Sequence, residues 1–482
     1  MKVQRRLTSL RVHNHLLMLL LSTACPAQST ALAQEHSTTD AICIQVATNA
    51  VIARTDESFV GFGYETSAVA QQGYFSPQKT HLVQLLRTLS PHGLIRIGGN
   101  ISDWARFVPN GTPLVMAQNR ATIFNQSELV DLGEFLKATG WKIMWGLNLK
   151  TGTRAEAVAE AVAVQKTLGS YLQSFEIGNE TDLQPAFKNK PDAYLAAYRD
   201  FKSAIRAVLP DAAFSGPDAA WGVEWLQDFA KAESSDLKLL TRHYYRGGAG
   251  NTNSTIPTLL ETDVNFEQQL AELQKISSDA RVPIRFNEIN SFFGGGKKGV
   301  SDTFASALWC LDIMFMLAAH GCDGVNMETD INQNAKISDY SPIYRDEATG
   351  QLIARPEYYG MLAFSIAGVG DVLKTSVSKT EVNVKAYATR NSKGELWVTV
   401  INKDLSKPAK VELTVPASYS SCDCFRLTAP IAESKDHVTL AGAEVSPEGT
   451  WKPDQIEAVP MKSGNIQFNV PATSATLIRL RK

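Results

Sequence analysis

Residues 283–321 read PIRFNEINSFFGGGKKGVSDTFASALWCLDIMFMLAAHG: an apolar run carrying a glutamate near its end, a glycine-lysine loop, and a long apolar stretch that stops at a glycine. The run PIRFNEIN shows little polar alternation, which suits a strand covered on both faces. The apolar stretch is helix-like in length and ends as helices end, at Gly321. Strand, loop and helix in that order make one βα unit, and the fold depends on how often the unit recurs.

Seven further runs of the same kind lie around it: FVGFGYE (59–65), GLIRIGGN (93–100), WKIMWGLNL (141–149), SFEIGNE (174–180), AAFSGPD (212–218), LLTRHYY (239–245) and GVNMETD (324–330). Helix-like stretches such as SELVDLGEFLKATG and PDAYLAAYRDFKSAIRAVLP separate them. Eight repeats predict an α/β fold, a (β/α)₈ TIM barrel over residues 59–370. After Gly370 the texture changes to short alternating runs, LWVTVINK and IQFNVP among them, which predict a β-sandwich domain over 371–482. The strand-like AICIQVAT (41–48), inside the segment 34–58, has no partner in the barrel and is expected to pair with the C-terminal domain.

The first 33 residues carry Lys2, Arg5, Arg6 and Arg11, then a short apolar core and an Ala31-Leu32-Ala33 cleavage pattern. They read as a signal peptide, which predicts a secreted or periplasmic protein, with lipid anchoring at Cys25 as the less favoured alternative because Ser22-Thr23-Ala24 is a poor lipobox. No later apolar run reaches the ~18–20 residues that span a bilayer. Losing the leader removes four bases and no acid, which takes the formal charge from −2 to about −6. An acidic protein is a poor non-specific ligand for nucleic acid. The remaining cysteines lack zinc-site spacing, so no metal site is expected; an oxidising compartment would let Cys43 bond Cys422 or Cys424.

In such a barrel the chemistry sits at the C-terminal ends of the strands. Those ends hold Glu65, Arg96, Asn100, Asn148, Asn179, Glu180, Asp218, His243, Tyr244, Tyr245, Glu288, Asn290, Glu328 and Asp330. Arg96 is expected to brace the barrel, Asp218 to order a turn, and Glu328 and Asp330 to cap a loop. Glu180 and Glu288 end the fourth and seventh strands, so they should face one another across the mouth. Two such carboxylates are what acetal cleavage needs: one protonates the leaving oxygen, and the other attacks the anomeric carbon or activates water. They carry that chemistry alone, so no cofactor is expected.

FEIGNE, RHYY, NEINSFFGGGKKGVSDTFASALW and LSPHGLIRIGGNISDW, on the fourth, sixth, seventh and second strands, together resemble glycoside hydrolase family 79, the β-glucuronidase and heparanase family, and most of all its bacterial exo-β-glucuronidases. The resemblance implies Glu180 as acid/base, Glu288 as nucleophile and retention of configuration. It also implies that Asn179 bonds the sugar 2-hydroxyl and that a tyrosine orients Glu288, with Tyr244 preferred over Tyr245. Gly294 and Gly295 match the family's loop for the glucuronate carboxylate, with Lys298 as the accompanying cation and Lys297 as the alternative. Phe293 stands where the family pattern has tyrosine and would wall the pocket without donating a hydrogen bond; Tyr340 or Tyr344 could supply the missing donor. Loops such as GGAGNTNSTIP are nearly uncharged, which favours small or terminal glucuronides over sulfated chains. The rival expectations are a β-glycosidase for a neutral sugar and a non-catalytic sugar-binding barrel.

Overall fold

The computed structural model describes residues 41–116, 121–329, 337–346 and 349–482. The expected leader, with Cys25, and Asp330 lie outside them.

Eight parallel strands form where the eight runs were read: Gly61–Glu65, Leu94–Gly98, Lys142–Leu147, Leu172–Ile177, Gly216–Ala219, Leu240–Gly248, Ile284–Phe293 and Gly324–Glu328. Each pairs with its chain neighbour and the first pairs with the eighth. The fourth and fifth meet through one bridge, Phe175 to Phe214, so the barrel is nearly closed. The fifth, Gly216–Ala219, is shorter than its sequence run and contains Pro217, which has no N–H to give to a ladder.

The helices between the strands are set by their own ends. Asn125 with Glu128 and Thr153 with Glu156 form capping boxes at Gln126–Thr139 and Arg154–Leu168, and Gly140 closes the first of these at φ 79°. The helix Phe304–Ala319 is apolar all round and buried almost throughout. It is covered on its outer side by the C-terminal sheet: Phe315 stacks on Tyr387 at 5.1 Å, and Asp312 accepts hydrogen bonds from Tyr387 and Lys403. Among the described residues no helix is long and apolar enough to cross a membrane.

The C-terminal strands form an eleven-stranded sheet around a core that includes Val398, Val411, Cys424, Ile466 and Ile478. Ile42–Thr55 is a member of it, antiparallel to Gly370–Val377 and parallel to Ala409–Thr414. The disulfide considered for Cys43 is absent: all five described cysteines are free. Strand alternation is the reason, since Cys43 faces solvent between buried Ile42 and Ile44, whereas Cys422 and Cys424 point into the core.

Candidate active site

A cavity of about 560 Å³ opens at the C-terminal ends of the barrel strands, with Glu180 and Glu288 in its lining. Glu288 owes its position to an extra residue in the seventh strand. Thr241 pairs with Arg285, yet His243 pairs with Glu288, so three steps on one strand oppose two on the other. The same bulge recurs on the other side, between Phe286 opposite Val325 and Ile289 opposite Met327. A bulge lets two consecutive side chains turn inward. Asn287 reaches Glu176 at 3.0 Å and also bonds Asp218, while Glu288 turns to Arg96.

The Glu288 carboxylate is held at both oxygens. Arg96 Nη1 donates to Oε2 at 2.7 Å, and the Tyr245 hydroxyl donates to Oε1 at 2.8 Å. The orienting tyrosine is therefore Tyr245, not Tyr244. Along a strand alternate side chains take opposite faces, so His243 and Tyr245 point inward together. Tyr244 points out, donates to Asp263 at 3.0 Å and stacks on Phe266 at 3.7 Å.

Arg96 is fully buried and does more than brace the barrel. Its Nη2 donates to Asn179 Oδ1 and to Asp218 Oδ2, each at 2.7 Å, and its Nε lies 3.5 Å from Glu176. Burial opposes its charge, but Asp218 and Glu288 outweigh that and raise its pKa. Burial and the neighbouring Asp218 together push Glu176 well above the usual carboxylate range. Asp218, expected to order a turn, is instead a central anion: against the cost of burial, Arg96 and His243 hold its pKa below the ordinary value.

Glu180 sits in the left-handed region at φ 45°, after Gly178 at φ 89°, and its N–H donates to the carbonyl of Asp218, itself at φ 58°. Non-glycine residues adopt that region at a cost and persist there only where surroundings hold them, which is common at working sites. His243 supplies part of the hold. Its Nδ1 lies 3.1 Å from Glu180 Oε1 and 3.7 Å from Glu288 Oε1, and its Nε2 lies 2.6 Å from Asp218 Oδ1. Burial disfavours the imidazolium, but Glu288 and Asp218 reverse this and raise its pKa well above the usual value. One oxygen from each glutamate and the histidine nitrogen fall within 4.8 Å of one another. The same grouping could hold a cation only by giving up the imidazolium, which donates at both nitrogens.

The loop after Glu288 departs from expectation at its lysines. Lys298 is exposed and, like Lys297, does not line the cavity. Gly294, Gly295 and Gly296 do line it, at φ 87°, 90° and 83°. Gly295 accepts the N–H of Asp339 at 2.7 Å, and a Cβ on Gly296 would come within 2.5 Å of the Tyr340 nitrogen, so only glycine fits there. Among the described residues no protein acceptor takes the N–H of Gly294 or Gly295. Five carboxylates (Glu65, Glu180, Glu288, Glu328 and Asp339) line the cavity, and among the described residues no lysine or arginine does.

Phe293, Asn100 and Tyr340 are at the cavity as read, and Glu328, expected to cap a loop, lines it as well. Tyr344 is not, its ring lying under the Arg355 guanidinium at 3.4 Å. Asn148 caps a turn at Thr151 and Gly152, and Asn290 ties the carbonyls of Glu328 and Tyr340. Asn179 is 1% exposed beneath Glu180, with its Oδ1 committed to Arg96, and is absent from the cavity lining. Trp221 was missed because it follows the fifth strand in an unremarkable loop; a tryptophan just beyond a strand end was the available signal.

Two family models match, the N-terminal domain of glycosyl hydrolase family 79 over residues 78–314 and that family's C-terminal β domain over 382–477. The chain belongs to glycosyl hydrolase family 79. Among curated relatives, a hyaluronoglucuronidase of Hirudo nipponia is 25% identical over 75% of this chain and 82% of its own length. A β-glucuronidase of Aspergillus niger is 24% identical over 80% of this chain and 83% of its own. Among solved structures, a 4-O-α-L-rhamnosyl-β-D-glucuronidase from Fusarium oxysporum shares the fold at TM-score 0.75 and 20% identity, over 90% of this chain and 99% of that one. As a family 79 protein the chain is a glycoside hydrolase.

Proposed function

We propose that the enzyme is a retaining exo-β-glucuronidase that removes terminal glucuronic acid from small glucuronides or glycan ends. Glu288, fixed by Arg96 and Tyr245, attacks the anomeric carbon while Glu180 gives its proton to the leaving oxygen. Glu180, now a base, then takes a proton from the water that hydrolyses the glycosyl–enzyme ester. The observation that carries this reading is the approach of the two carboxylates to within 4.8 Å around His243. Retaining pairs stand about 5–5.5 Å apart and inverting pairs about 6.5–9.5 Å apart, because the latter must admit a water.

Glucuronate is favoured by the N–H groups of Gly294 and Gly295 at the cavity wall, which have no acceptor among the described residues and suit a carboxylate, and by the glucuronidase names of the relatives. The leader sequence extends the proposal to action outside the inner membrane. A neutral sugar is the second reading, favoured by the five lining carboxylates, which accept hydrogen bonds from hydroxyls but repel a uronate.

Turnover of p-nitrophenyl β-glucuronide, glucoside, xyloside and fucoside separates the two readings. Glu180→Gln and Glu288→Gln should each lower kcat on the best substrate by about 10³-fold or more. Azide should rescue a Glu180→Ala variant and yield the β-glycosyl azide. Unchanged turnover in both glutamine variants removes the glycosidase mechanism, and an α-configured first product removes retention.

A further inference from the structure

The two glutamates account for bond cleavage but not for three large apolar side chains left open at the same mouth. Leu183, Trp221 and Phe293 are 44%, 42% and 47% exposed and all line the one cavity. Single exposed apolar residues are ordinary, but a group of them in a concave wall marks a place where something binds.

Trp221 is also held in a fixed position. Asp182, two residues after Glu180, accepts the N–H groups of Ala220 at 2.9 Å, Trp221 at 3.1 Å and Gly222 at 3.4 Å. Arg242 Nη2 donates to the Trp221 carbonyl at 2.7 Å. The indole meets Phe293 edge-on at 6.2 Å, and Phe293 meets Tyr245 edge-on at 6.2 Å. Tyr245 bonds Glu288 and Asp182 shares a loop with Glu180, so the apolar wall is registered against both carboxylates.

The mouth is two-sided as a result. The ends of the first, second and eighth strands, contiguous in the barrel, and the segments after them bring Glu65, Asn100, Glu328 and Asp339, groups that bond sugar hydroxyls. The loops after the fourth and fifth strands and the last residue of the seventh bring the three apolar side chains. The apolar side is the one that carries Glu180, which must face the leaving oxygen.

We infer that Leu183, Trp221 and Phe293 form a leaving-group subsite for a flat apolar aglycone, a phenolic ring system, rather than for a further sugar. The inference rests on the glycosidase reading with Glu180 as the acid. The phenolic oxygen takes the proton of Glu180 as its bond to the anomeric carbon breaks, and the phenol leaves across the indole. A sugar in that place would set its hydroxyls against three side chains with no polar partner to offer except the indole N–H.

The test compares kcat/KM for 4-methylumbelliferyl and methyl β-D-glucuronides, with the corresponding β-glucosides in parallel. Intrinsic leaving-group reactivity cancels when the aryl-to-methyl ratio is compared between variant and parent. Trp221→Ala should lower that ratio about tenfold and Leu183→Ala about threefold, while Trp221→Phe keeps most of it. A ratio unchanged within about twofold in both alanine variants overturns the subsite. So does a larger loss in Trp221→Ala on a glucuronyl disaccharide than on the aryl substrate. If only the glucosides turn over, the glucuronate assignment fails while the ratio is still read on that pair. Calorimetric binding of free 4-methylumbelliferone needs no turnover: it should weaken about tenfold in Trp221→Ala, and unchanged binding counts against the subsite.

Discussion

The floor and the wall of the cavity are built on opposite terms. On the floor, Arg96, Glu176, Asp218, His243 and Asn287 are essentially inaccessible, and Arg96, Asp218 and His243 each meet several polar partners. On the wall, Leu183, Trp221 and Phe293 stand exposed, and the N–H groups of Gly294 and Gly295 have no protein partner among the described residues. A buried ion is tolerable only when paired, so each floor residue fixes the others and the reacting carboxylates inherit that rigidity. The wall is free to vary because little inside the protein depends on it. On the proposed reading, chemistry is fixed below and substrate choice is set above.

The sharpest way to break this contrast is at Arg96. Removing one partner from a buried ion network costs about 3–5 kcal/mol because the remaining charges stay buried and unpaired. Arg96→Met should lose about that much in denaturant unfolding and most of its turnover, since Glu288 and Asp218 lose their guanidinium partner and keep only His243. Glu176→Gln is the control within the same network. Burial and Asp218 already favour the neutral acid there, so its stability loss at neutral pH should be about 1 kcal/mol or less. Equal losses in the two variants would mean that the floor is ordinary core packing.

Next in size is the adjacent pair Tyr245 and Tyr244. A hydrogen bond to a charged acceptor is worth about 1.5–3 kcal/mol, so Tyr245→Phe should lower kcat/KM by about 10–100-fold. Tyr244→Phe removes a bond to Asp263 outside the barrel lumen and should appear as about 1 kcal/mol or less of stability, with kcat/KM within about twofold. The reverse ranking would restore the preference for Tyr244.

A smaller effect separates floor from wall by pH. The pKa of His243 is raised in the folded protein, so its charge contributes fully below the ordinary histidine value of about 6.5 and is lost as pH rises through the folded value. Asp218 has the opposite sign: its contribution is present above about pH 4 and is lost as pH falls through its depressed folded value. The stability difference between the parent and His243→Asn should therefore be largest at about pH 5–6 and shrink toward alkaline pH. A difference independent of pH from about 5 to 9 would show that the imidazole is held neutral.

The same contrast decides what could be read from the sequence. Strand runs, the two glutamates and the glycine loop were legible because they are local: an apolar run, a strand-end carboxylate, a turn that needs positive φ. The bulge at Phe286–Ile289 was not, because nothing in RFNEIN marks which strand carries an extra residue, and the bulge is what turns Asn287 and Glu288 inward together. The choice between Tyr244 and Tyr245 follows from the same register. Asp218 looked like a turn residue because its value lies in Arg96 and His243, which are 122 and 25 residues away in the chain.

The smallest expected effect falls on Lys298, for which the family resemblance implies a cation's role. Among the described residues Lys298 is exposed, has no ion pair and does not line the cavity, and the N–H groups of Gly294 and Gly295 there have no acceptor. If backbone amides read the sugar's anion, Lys298→Ala should change kcat/KM by about twofold or less on glucuronide and glucoside alike, the range of an ordinary surface substitution. Backbone donors cannot be deleted by changing a side chain, so the matching probe is Gly295→Ala. Among the described residues a Cβ there meets Ser338 alone, its Oγ at 3.6 Å, but at φ 90° an alanine is strained and should shift the amide. That variant should lose glucuronide turnover more than glucoside turnover. A selective loss of glucuronide turnover in Lys298→Ala instead, on the order of a hundredfold, would mean that the loop folds over its substrate and the wall carries the charge itself.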